Sequence, residues 1–123
     1  MTLPKEFFIE LEKRTREMQN KNLVHLDLRN LGNIIEGDDG NPYIIDFQSS
    51  LGTKYLPKKL KKILEDSDIS GVYKSWKLVC SENLDPEKEK FLEDFNKIRK
   101  IWVFKGYPIQ KAIRKIKRKI NKD

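Results

Sequence analysis

Val24-His25-Leu26-Asp27-Leu28-Arg29-Asn30-Leu31-Gly32-Asn33-Ile34-Ile35, followed by Tyr43-Ile44-Ile45-Asp46-Phe47-Gln48, are the stretches whose reading decides the fold. Asn33-Ile34-Ile35-Glu36 and Pro42-Tyr43-Ile44-Ile45-Asp46 are short β-prone runs. The loop between them, Gly37-Asp38-Asp39-Gly40-Asn41, is rich in residues that tolerate positive φ. That pattern predicts a β-hairpin. Leu23 to Leu28 alternate loosely around His25 and Asp27 and fit no helical period. Asp27 therefore falls before the hairpin, Asn33 at its entry and Asp46 at its exit.

Helices are expected on either side. Phe7, Leu11 and Met18 recur at helical spacing from Pro4 to Gln19, with charged residues between them. Ser49 to Thr53 reads as a loop. Pro57 opens a helix striped by Leu56, Leu60, Ile63 and Leu64, and Asp68 to Leu78 reads as helical despite Gly71. Asp85-Pro86 is an N-cap and first-turn pair, after which Phe91, Leu92, Phe95, Ile98 and Trp102 share a face up to Gly106. Pro108 starts a final helix. The expected fold class is mainly α with one small β-hairpin, an α+β domain spanning 1–123 as a single unit, with four or five helices.

Composition limits what such a domain can do. Leu, Ile, Val and Phe supply 36 of 123 residues, enough for a modest core and too many for a disordered chain. The apolar runs are too short to span a membrane, and Lys5, Glu6 and Glu10 argue against a signal peptide. One cysteine, Cys80, and one histidine, His25, exclude a disulfide framework and Cys- or His-rich metal sites. A reducing, cytoplasmic setting is the expectation. The net charge of +7 divides unevenly: residues 97–123 hold 11 basic residues against one acid, and residues 1–96 hold 15 against 18. The basic character belongs to the tail.

The quoted stretches resemble the catalytic loop and metal-binding segment of the protein-kinase-like superfamily, in which H-x-D-x-x-x-x-N precedes a hairpin ending in D-F-G. Asp27 matches the catalytic-loop aspartate, Asn33 the metal-binding asparagine and Asp46-Phe47 the D-F pair, with Gln48 in place of the glycine. The wording H-L-D-L-R with D-F-Q-S is similar to the atypical branch that includes RIO-like kinases and lipopolysaccharide (Kdo) kinases. Asp27 to Asn33 spans six positions, one more than the common kinase loop.

The resemblance implies a kinase-like C-lobe, ATP and Mg²⁺ as cofactors, and phosphoryl transfer. That reaction needs positioning and charge neutralisation more than covalent work. Asn33 and Asp46 are the implied metal and nucleotide ligands, sharing Mg²⁺ with the phosphates. Asp27 is the implied acceptor of the substrate hydroxyl proton. Arg29 is implied to lie over the transferred phosphoryl group. His25 is expected to be structural, hydrogen-bonded beneath the loop. Gln48, unlike glycine, restricts positive φ, so a fixed rather than switching segment is expected.

A kinase also has an N-terminal lobe with a Gly-rich phosphate loop and a strand lysine. Only 24 residues precede His25, and no G-x-G-x-x-G or V-A-I-K-like strand occurs in the sequence. An N-lobe polypeptide acting in trans is the implied partner. Two other classes stay open: a pseudokinase-like binding module or truncated remnant without turnover, and a peripheral protein that works through its basic tail. In residues 107–123, Ile109, Ile113, Ile116 and Ile120 make a narrow apolar stripe among Lys and Arg. Such a helix suits an anionic membrane surface at about 1 kcal/mol per basic residue. That would place the protein at the cytoplasmic membrane face, with Trp102, Phe104 and Tyr107 as anchors. An ordinary terminal helix packed on the domain is the plainer alternative. Nucleic acid is disfavoured because no aromatics interleave the basic run.

Overall fold

The sixteen residues after Pro4 coil because their apolar positions recur on one side. In the computed structural model, which describes residues 2–104 and side chains up to residue 100, they form α1 (Lys5–Asn20). The buried face of α1 is Phe7, Phe8, Leu11, Thr15 and Gln19, while Met18 is only half-buried. The polar members of that seam are satisfied: Thr15 Oγ1 donates to the Leu11 carbonyl at 2.8 Å, and Gln19 Nε2 to the Glu65 carbonyl at 2.9 Å.

After α1 come β1 (Leu23–Val24), a 3-10 turn (Leu31–Asn33), β2 (Ile34–Glu36), β3 (Pro42–Ile44), a second 3-10 turn (Phe47–Ser49) and β4 (Leu51–Gly52). Two long helices follow, α2 (Lys58–Val79) and α3 (Pro86–Phe104). The chain is mainly helical with two small antiparallel sheets, an α+β arrangement.

The expected hairpin forms. β2 pairs with β3 in the register Ile34 with Ile44, Ile35 with Tyr43 and Glu36 with Pro42. Gly40 takes φ +79°, and Asp39 ties the loop by accepting from Asn41 N–H at 3.0 Å and Tyr43 OH at 2.7 Å. Arg14 of α1 reaches β3, donating to the Pro42 carbonyl at 2.6 Å with its guanidinium over the Tyr43 ring, so the face that Tyr43 shares with Ile35 is partly covered.

Two features correct the sequence reading. The expectation of one hairpin gives way to two sheets, because Ser49 to Thr53 is not simply loop: Leu51–Gly52 is β4, antiparallel to β1. Val24 and Leu51 are buried there against Leu64, so the pairing is driven by burial between segments far apart in sequence. The stretches 57–64 and 68–78 also join in one 22-residue helix, α2, that passes through Gly71 without a break.

The main core lies where α1, α2 and α3 meet, around Phe8, Leu11, Val72, Trp76 and Leu92. Trp76 stacks on Phe8, and Lys88 of α3 spans its ring at 4.3 Å while pairing with Glu12 at 2.8 Å. Cys80 caps the end of α2 beside Leu3 rather than sitting inside a helix. No helix among the described residues is long and apolar enough to cross a membrane. The expectations for the basic segment 107–123, and for the aromatic side chains of Trp102, Phe104 and Tyr107, lie outside the described side chains.

Candidate functional site

The loop between β1 and the first 3-10 turn has too few residues to make repetitive backbone hydrogen bonds, so side chains hold its shape. Asp68, on the buried face of α2, accepts the backbone N–H of His25 at 2.7 Å on one carboxylate oxygen and that of Leu26 at 2.8 Å on the other. Leu26 sits at φ +72°, a left-handed conformation that a leucine adopts only when its surroundings enforce it. Two residues further on, the backbone of Leu28 and Arg29 lies directly on Gly71. A Cβ there would meet Leu28 C at 2.8 Å and Arg29 N at 2.9 Å. Glycine in mid-helix is thus what lets the loop seat on α2.

His25 is fully buried and structural, as its position beneath the loop predicts. Its Nδ1 accepts the Asp27 backbone N–H at 3.1 Å, because an amide can only donate. Its Nε2 must then carry the proton, which it donates to the Ile45 carbonyl at 2.9 Å. The neutral ring therefore joins the loop before the hairpin to the strand that leaves it. Phe47 meets the same ring edge-on, with centroids 5.0 Å apart.

These supports set the polar residues. Asn33, 4% exposed, donates through Nδ2 to the Asp27 carbonyl at 3.0 Å and to the Asp27 carboxylate at 2.9 Å. Both amide protons are thereby committed, and the Asn33 Oδ1 is left as an acceptor. The Ile45 N–H donates to the Asn33 carbonyl at 2.8 Å, which brings the residue before Asp46 against Asn33. Asp46 is exposed and holds φ +61°, so the left-handed position falls on the aspartate itself and not on Gln48. Its carboxylate accepts from the Gln48 N–H at 3.4 Å and opens the 3-10 turn Phe47–Ser49.

Asp27 and Asn33 are thus directly bonded, and Asp46 follows Ile45, whose N–H meets the Asn33 backbone carbonyl. Arg29 is not gathered with them as expected. Its Nη2 donates to Ser70 Oγ at 3.0 Å and to Asn96 Oδ1 at 2.8 Å, which holds the guanidinium against α2 and α3. Burial, with the nearby Arg99 charge adding to it, pushes its pKa down to about 10.

Among the described residues no group of three or more His, Cys, Asp or Glu side chains could hold a metal ion.

Asp68 and Gly71 escaped the sequence reading. The signal was present: Asp68 stands on the apolar stripe between Leu64 and Val72, where a charged residue must have a buried partner. Neither the protein-family models, nor the curated proteins, nor the solved structures compared with this chain give a match.

Proposed function

We propose that this chain carries the C-lobe of an atypical protein-kinase-like phosphotransferase that acts together with an N-lobe. One observation carries the reading. The Asn33 side-chain amide donates to the Asp27 carboxylate at 2.9 Å while the Asn33 backbone carbonyl accepts the Ile45 N–H, a link between the loop before the hairpin and the residue before Asp46 that supports this reading. In this reading Asp27 takes the proton of an acceptor hydroxyl. Asn33 Oδ1 and the Asp46 carboxylate hold Mg²⁺ against the nucleotide phosphates, and the metal neutralises charge as the phosphoryl group moves. His25 and Asp68 position the loop and touch no substrate. Ile35, on the outer face of the hairpin and 44% exposed, offers an apolar floor for a purine.

Mg²⁺–ATP titration of the chain tests this directly. Binding is expected near 1 mM, about −4 kcal/mol, since one lobe contacts only one side of the nucleotide. Asp46→Asn weakens it by removing the charge that holds the ion, and Asp27→Asn leaves it unchanged. Phosphoryl transfer is expected only after a compatible N-lobe is added, and Asp27→Asn then abolishes turnover. Full activity of Asp27→Asn in the completed enzyme would refute the catalytic assignment. A binding module without turnover is the second reading, favoured by one observation: Arg29 is engaged with Ser70 and Asn96.

A further inference from the structure

Arg29 is a half-buried cation without a carboxylate bonded to it among the described residues. Its guanidinium rests on two neutral oxygens, Ser70 Oγ and Asn96 Oδ1, and its Nε is buried without a partner. Ser70 is itself fully buried, so one wall of this site is built and not a chance surface contact. The loop backbone at Arg29 is pressed onto Gly71, which fixes where the side chain starts. Among the described residues no ion pair involves Arg29 or Arg99. Asn96 and Arg99 are three apart on α3 and so share a face, which brings the exposed Arg99 to the same place. The second charge is near enough to depress Arg29 further. Two guanidinium groups gathered without a carboxylate are destabilising to each other until an anion neutralises them.

We infer that Arg29 and Arg99, with Ser70 and Asn96 fixing the first of them, form an oxyanion site that takes a phosphate-type group on the acceptor substrate. The assignment to the acceptor rests on the phosphotransferase reading, because Arg29 lies two residues from Asp27 yet its hydrogen bonds run to α2 and α3. An acceptor that already bears a phosphate would be held there by one end while its hydroxyl reaches Asp27. Fork-shaped guanidinium donors match a tetrahedral oxyanion better than lysine would.

Inorganic phosphate, titrated at constant ionic strength and followed through the arginine Nε–Hε resonances, is the probe. Saturable shifts of Arg29 and Arg99 are expected, with Arg99→Gln weakening binding by at least about tenfold. Arg29→Gln should do the same if it folds; Arg99→Gln, on an exposed side chain, keeps the test sound if it does not. Lys58→Gln, on the far end of α2, should leave binding unchanged. Equal weakening by Lys58→Gln, or no saturable shift, would overturn the site. Mg²⁺–ATP is titrated in parallel. Competition between phosphate and Mg²⁺–ATP for the Arg29 resonance would give the site to the nucleotide and overturn the acceptor assignment. Phosphate saturation without Mg²⁺–ATP binding would keep the oxyanion site and remove the kinase-like reading; nucleotide binding without phosphate saturation would do the reverse.

Discussion

Asp68 places one backbone N–H on each carboxylate oxygen, and no other residue type does this at the same reach. Asn offers one acceptor and turns an NH₂ group toward the second N–H, so Asp68→Asn should cost about 1–3 kcal/mol and loosen the loop that carries Asp27. Burial pushes the Asp68 carboxyl up to about 6, against the pull of the His25 and Leu26 N–H groups. A folded-state pKa above the ordinary 3.8 means that the fold binds this proton more tightly than the unfolded chain does. Its contribution to stability is therefore full below about 4 and is lost as pH rises through about 6. Urea unfolding across that window should show the advantage of the wild type over Asp68→Asn shrinking with rising pH. Gly71→Ala tests the neighbouring contact through its sign. In an open helix it would stabilise by about 1 kcal/mol. Here the new Cβ meets loop backbone at 2.8 Å, so a loss of roughly 1–3 kcal/mol in the urea midpoint analysis is expected.

At the scale of elements, α2 serves two cores from one helix. Its first half puts Leu64 against Val24 and Leu51, and its second half puts Val72 and Trp76 against α1 and α3. The β1–β4 ladder is only two residue pairs long and would not persist alone. Leu64→Ala should therefore cost about 2–5 kcal/mol. Hydrogen exchange should speed up first at β1 and β4, with the amides around Trp76 still protected. Uniform acceleration across α1 and α2 would show instead that the two cores unfold as one. The hairpin is different, since its loop is tied by Asp39 to Asn41 and Tyr43, local contacts that a short sequence window already contains, and only the Arg14 bond to Pro42 reaches it from α1.

Across the whole molecule, the hairpin leaves one face only partly covered. Ile35 and the Tyr43 opposite it are substantially exposed, as are Ile45 and Phe47 further along the chain. Isolated exposed apolar residues are ordinary, and neighbouring ones can mark a docking face. In the kinase-like reading what docks there is the nucleotide with its N-lobe above it. Ile35→Lys should then leave the unfolding midpoint within about 0.5 kcal/mol, because the position is exposed, while removing Mg²⁺–ATP binding measured by calorimetry. Unchanged nucleotide affinity in Ile35→Lys would place the purine elsewhere.

Periodicity and turn chemistry were sufficient for α1, α3 and the hairpin, because the causes lie within each segment: apolar residues at helical spacing, Pro86 at a helix start, Gly40 at positive φ. The order of Asp27, Asn33 and Asp46 around that hairpin was legible for the same reason. What tertiary structure decided involves partners distant in sequence. Leu51 becomes a strand only because Val24 and Leu64 bury it, and Gly71 stays helical because the Leu28 backbone occupies the space of its missing side chain. Arg29 was expected at the phosphoryl group and instead meets Ser70 and Asn96, since a long flexible side chain follows whichever acceptors the packed helices present. Local sequence states which groups the loop owns; only the packed helices determine where those groups point.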